Sequence, residues 1–142
     1  MSRIGFASRV ARGAVAGLVA TAAMSAQMMA PPSTDRIGTP PPRRLADMLL
    51  PHEPQRERRV AATVLHLGIG VAGGVAYRSL IARRHSGPVS GALFGLVVWF
   101  VGYELVVPAL GALPPAHRDE AARRAALIEA HALYGAILGA LG

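Results

Sequence analysis

A chain of 142 residues is long enough for one domain. Hydrophobic residues make up 52% of it, but aromatics only 5% and charged residues 16%; this argues against a soluble core, which would use more aromatics and interrupt its apolar stretches with charge, and points to a membrane protein. The net charge of +7 comes from 15 basic residues, all Arg, placed at the ends of apolar segments as interface anchors are, so nucleic acid is not the expected partner; with no Cys, disulfides, thiolate metal sites and thiol chemistry are excluded.

The first apolar stretch is GAVAGLVATAAMSAQMMA, Gly13 to Ala30, with Arg9 and Arg12 before it and Pro31-Pro32 after it. It supports a helix over about 10–30, long enough to cross the hydrocarbon core. A signal peptide is the competing reading, set aside because the run is long and resembles the third stretch. Residues 31–59 follow as a Pro/Arg-rich loop with seven of the 11 Pro. Within it PPRRLADMLLP reads as a short amphipathic helix at the membrane surface, with Leu45, Met48 and Leu49 on one side.

The second helix is expected over 60–83, in VAATVLHLGIGVAGGVAYRSLIA. RRHSGP makes a tight turn into the third, expected over 89–110. GALPPAHRDEAARR breaks the chain at Pro114-Pro115 and starts the fourth, expected over 121–141, with Asp119 and Glu120 near its N-terminus. The predicted fold is an all-α membrane protein, a single membrane domain over 1–142 with four transmembrane helices.

The first and third stretches begin alike, GAVAGLVA from Gly13 and GALFGLVV from Gly91. The second and fourth share H-x3-G-x3-G, from His66 and from His131. The four spans therefore read as two tandem helical hairpins forming a parallel internal repeat. Glycines four apart mark close helix approach: Gly13 with Gly17, Gly70 with Gly74, Gly91 with Gly95, and Gly135 with Gly139. Counting arginines in short loops, with weight on the first helix, places the N-terminus in the cytoplasm.

Each histidine shares a face with small residues, so both rings point at neighbouring helices rather than lipid. The repeat sets them at one depth. Gln27 ends the small-residue stripe of the first helix there, Tyr103 and Glu104 arrive on the third, and Tyr134 lies one turn after His131. These six form the candidate polar site, since ionisable groups inside a membrane are costly. Regular helical spacing puts Glu104 about 180° from Gly95, and Glu129 about 200° from His131, so neither carboxylate shares its helix's glycine face.

Three uses of the histidine pair are open. They bond across the bundle to a carbonyl, Gln27, a tyrosine or each other, and fix register. They respond to or relay protons, since an unperturbed histidine titrates near pH 6.5. Or they hold a cofactor, a b-type haem between His66 and His131, or copper with Met24 and Met28. Low aromatic content disfavours haem, so no cofactor is the first expectation. Nucleophile elbows, Walker loops, dinucleotide fingerprints and HExxH are absent, which makes a non-enzymatic role the default.

The segments GAVAGLVATAAM, HLGIGVAGGVAY, GALFGLVVWFVGYELVVPALGALPP and HALYG, spread from Gly13 to Gly139, resemble the YagU-like family of small bacterial inner-membrane proteins. The resemblance implies an inner-membrane location and an association with acid resistance. It carries no catalytic residues, and the compact loops here depart from longer members. The expected role is structural or stress-related and pH-linked through His66 and His131, with a proton or small-solute transporter or channel component, or a haem-binding redox subunit, as alternatives. The expected partners are the lipid bilayer and a second copy or a membrane complex.

Overall fold

The computed structural model describes residues 3–82 and 85–141; Arg83, the last residue of the second expected helix, lies outside them. The described chain is helical, with no strand among these residues. Helix α1 runs Arg3–Met29, α2 Ser33–Ile37 and α3 Pro41–Leu49. Helix α4 runs Gln55–Ala76 and continues as a π-helical turn, Tyr77–Ile81. Helix α5 runs Pro88–Trp99, widens into a π-helical segment over Phe100–Val106 and closes with the turn Val107–Ala109. A 3-10 turn at Ala116–Arg118 leads to α6, Ala121–Leu141.

Three helices are long and apolar enough to cross a membrane: Gln55–Ile81, Pro88–Ala109 and Ala121–Leu141. The chain is therefore a helical protein with membrane-spanning character. Helix α1 is not among the three. It has 27 residues, but Arg3, Arg9 and Arg12 lie ahead of its apolar part. Its apolar part, 13–29, is at the lower end of the ~17–25 residues that a span needs.

The long helices pack as two antiparallel pairs, α1 on α4 and α5 on α6, joined where α1 meets α6. Small residues set both seams. A Cβ at Gly17 would come within 2.5 Å of the Gly70 carbonyl oxygen and 2.9 Å of Val71 Cα. In the other pair a Cβ at Gly91 would meet Gly139 Cα at 2.8 Å. In lipid, where apolar side chains gain nothing by leaving water, such backbone proximity lets dispersion hold helices together. The outer faces carry the large aliphatics: Val15 on α1, Val64 on α4, Val97 on α5 and Leu141 on α6 are all exposed. A bilayer covers such a surface at no cost.

Two features shape the space between the pairs. Pro108 has no N–H to donate and its ring crowds the preceding turn, and the π-helical widening lies directly before it. Helix α3 packs on α4 and buries Leu45 and Ala46 beneath it while leaving Met48 and Leu49 exposed. Its polar edge is tied down by Arg43, whose Nε is 2.9 Å from Asp47 Oδ1, and by Arg58 at 3.2 Å from the same oxygen.

Candidate functional site

The α1–α4 and α5–α6 pairs leave a cavity of about 120 Å³ between them. His66 and His131 both line it, with Thr21, Trp99, Tyr103 and Tyr134. Met24 and Met28 of α1 and Leu45 of α3 complete a wall that is otherwise apolar.

Most hydroxyl and ring N–H groups in this wall are already engaged. Thr21 Oγ1 donates to the Gly17 carbonyl at 2.7 Å, on its own helix. His131 Nδ1 donates to the Leu127 carbonyl at 2.8 Å, also on its own helix. A carbonyl only accepts, so in the neutral ring the lone pair is left on Nε2. Among the described residues the His66 ring makes no hydrogen bond. The bond across the bundle comes from Tyr134, whose hydroxyl donates to the Gly70 carbonyl at 2.6 Å. Of the alternatives for fixing register, this one is realised by the tyrosine and not by either histidine. Trp99 Nε1 is buried and has no partner.

Tyr103 connects the cavity to a charged cluster at its end. Its hydroxyl donates to Asp119 Oδ2, and the Glu120 backbone N–H donates to Asp119 Oδ1 at 2.7 Å. Arg123 Nε stands 3.9 Å from Asp119 Oδ2, and Arg44 of α3 is close enough to act on the same carboxylate. Burial would raise the Asp119 pKa, but the Tyr103 hydroxyl, the Glu120 N–H, Arg123 and Arg44 together outweigh it and hold the carboxyl below its usual value. The Nε atoms of Arg44 and Arg123 are buried and make no hydrogen bond.

The remaining sequence candidates lie elsewhere. Gln27 Nε2 donates to Ser33 Oγ at 3.2 Å, at the α1–α2 corner and away from the histidines. Glu104 pairs with His117: Oε1 meets the ring Nδ1, and Oε2 accepts the His117 backbone N–H at 3.3 Å. Glu129 pairs with Arg36 at 3.1 Å on the outer surface. The eight seam glycines lie along the two helix pairs rather than in the cavity, apart from Gly70, which forms part of its wall.

Thr21, Trp99, Asp119 and Arg44 belong to the site without having been singled out in the sequence. The signals were present for Trp99, the only tryptophan and one turn before Tyr103, and for Asp119 at the start of α6. Nothing local marks Arg44, because its position depends on how α3 folds back onto α4.

A haem between His66 and His131 would need more space than this cavity of about 120 Å³. Ligand pockets of that kind have volumes of ~300–1,000 Å³, and the two helix pairs would have to separate to reach it. Among the described residues no three His, Asp or Glu side chains are grouped so as to hold a metal ion.

No curated protein and no solved structure matches the chain. A family model does match, over residues 7–141, which takes in all four long helices, the cavity and the Asp119 cluster. The chain therefore belongs to the family of unknown function DUF6789.

Proposed function

We propose that this chain is a non-enzymatic, four-span protein of the bacterial inner membrane, with a structural or acid-stress role exerted through protonation of His66 and His131. The observation that carries this reading is that both rings line one cavity of about 120 Å³ with an otherwise apolar wall. Protonating one ring places a charge among apolar side chains, and protonating both sets like charges in one small space. In this reading acid loosens the contact between the α1–α4 and α5–α6 pairs. The likeness to the YagU-like family supports the acid-stress side of the proposal.

Four spans in two tandem hairpins are part of the same proposal. Support comes from the matching seams, Gly13 and Gly17 facing Gly74 and Gly70, and Gly91 and Gly95 facing Gly139 and Gly135. The cytoplasm is assigned to the N-terminal side, with Arg9 and Arg12 at the membrane edge. A non-enzymatic role is supported by the way Thr21, His131 and Tyr134 use their hydrogens on backbone carbonyls.

The test compares wild type with a His66→Ala/His131→Ala variant in acid survival of the host cell and in proton flux across liposomes. Acid survival that drops in the variant, without flux in either protein, is the expected result. Flux that wild type shows and the variant lacks favours the transporter alternative. Acid survival and flux unchanged by the substitutions would reduce both histidines to packing residues.

A further inference from the structure

We propose that the gap between α4 and α5 is a binding site for one acyl chain of an anionic membrane lipid, which enters sideways from the bilayer and sets its headgroup at Arg44 and Arg123. It rests on the membrane-spanning reading above and not on the protonation of the histidines.

The two helices that flank the gap meet at one end. There Tyr77 packs its ring on Phe94 with centroids 5.3 Å apart, and its hydroxyl lies 3.4 Å from Ser90 Oγ. Toward the other end they do not pack closely on each other: α4 is occupied by α1 and α3, and α5 by α6. The cavity occupies the space this divergence leaves. Ile69 lines it from α4 and is 50% exposed, so the wall of the cavity continues onto the lipid-facing surface.

Size and chemistry select the occupant. A dry engineered cavity of about 150 Å³ accepts benzene, so about 120 Å³ suits the end of a single hydrocarbon chain rather than a folded ligand. The wall is mostly aliphatic and aromatic, and its unengaged polar atoms are confined to the rings of His66, His131 and Trp99. The end of the cavity is different. Tyr103 opens onto Asp119, with Arg123 and Arg44 around it, and both arginine side chains stay partly exposed. Asp119 has the wrong sign for an anionic headgroup, but Tyr103, Arg123 and the Glu120 N–H already share its charge. Two arginines against one neutralised carboxylate leave net positive charge where the chain end of a lipid meets its phosphate. Guanidinium groups suit phosphate in both charge and donor geometry.

The only tryptophan, Trp99, lies in the cavity wall and reports on its content. Full-length protein is reconstituted in phosphatidylcholine bilayers, and its incorporation is checked by flotation. Phosphatidylglycerol with brominated acyl chains, which quench tryptophan on contact, is then titrated against brominated phosphatidylcholine. The expected result is half-maximal quenching at a roughly fivefold lower mole fraction of the anionic lipid, the effect of about one well-placed arginine at a bilayer surface. Arg44→Gln/Arg123→Gln removes that preference, and Arg44→Lys/Arg123→Lys keeps most of it. Gly102 lines the cavity and a Cβ there would meet nothing within 4 Å, so Gly102→Leu fills the space and reduces quenching by both lipids. Equal quenching by the two headgroups in wild type, or a preference that survives the glutamine substitutions, overturns the lipid site. Failure to float with the bilayers would instead sink the membrane reading beneath it. Should Gly102→Leu not fold, the arginine variants decide.

Discussion

Tyr134 links the two helix pairs, and it can do so because of a glycine. A Cβ at residue 73 would lie 2.5 Å from the Tyr134 hydroxyl, so Gly73 leaves the room in which that hydroxyl reaches the Gly70 carbonyl. Asp119 illustrates the opposite case, a charged residue held by what surrounds it. Its pKa is lowered from 3.8, because the Tyr103 hydroxyl, the Glu120 N–H, Arg123 and Arg44 outweigh burial. A carboxyl with a depressed folded-state value adds stability that is present above the unfolded value and lost as pH falls through the folded one. Wild type is therefore expected to lose part of its thermal stability as pH falls below about 5. Asp119→Asn, less stable at neutral pH, should lose less over that window. Thermal unfolding followed across the window in both proteins checks this, and identical pH slopes would remove Asp119 from the account. At this scale the sequence was informative about the histidines, whose H-x3-G spacing turns them toward neighbouring helices. It was not informative about their neighbours. Gln27 and Glu104 are expected at the histidines' depth from their helical positions, but the partners that draw them away, Ser33 and His117, lie in α2 and the 3-10 turn, whose positions no helical periodicity predicts.

Among the elements, the seam glycines differ sharply in what they permit. At Gly17 the atoms nearest to an added Cβ are the Gly70 carbonyl and Val71 Cα, which cannot rotate aside. Gly17→Ala therefore forces α1 and α4 apart and is expected to cost about 1–3 kcal/mol, the range for overpacking. Gly68, on the partner helix α4, has nothing within 4 Å of an added Cβ. Gly68→Ala should be neutral or stabilising by up to about 1 kcal/mol, since alanine has less backbone freedom to lose. Unfolding free energies of the two variants in bilayers separate these outcomes; equal effects would mean that the seam does not hold the pair. The spacing of the glycines made these seams legible because α1, α4, the first part of α5 and α6 keep regular α-helical geometry. Beyond Trp99 that geometry ends. The π-helical segment Phe100–Val106 has more residues per turn, so angles counted at 100° per residue drift there. The sequence contained the cause, Pro108, but not the form that the chain's response would take.

The whole molecule depends on the status of α1, because its three companions can cross a membrane by length and composition and its own apolar part sits at the limit. Packing argues that it crosses with them. It lies along α4 over the Gly13–Gly17 seam and also touches α6, while Val15, Leu18 and Val19 stay exposed on the outer face, where water would penalise them and lipid does not. The chain has no Cys, so single cysteines report topology without background. Ala7, Thr39 and Ser86 are all exposed; Ala7 sits in the first turns of α1, ahead of its apolar part, and Thr39 and Ser86 lie between the long helices. With four spans, residues 7 and 86 share one side and residue 39 faces the other; with α1 lying on the surface, residue 7 joins residue 39. An impermeant maleimide added to intact spheroplasts should therefore label Thr39→Cys and spare Ala7→Cys and Ser86→Cys. Labelling of Ala7→Cys together with Thr39→Cys would leave three spans. Labelling of Ala7→Cys and Ser86→Cys without Thr39→Cys would keep four spans and reverse the orientation, placing the Arg44–Arg123 end of the cavity at the cytoplasmic leaflet, where anionic lipids attract arginine most strongly.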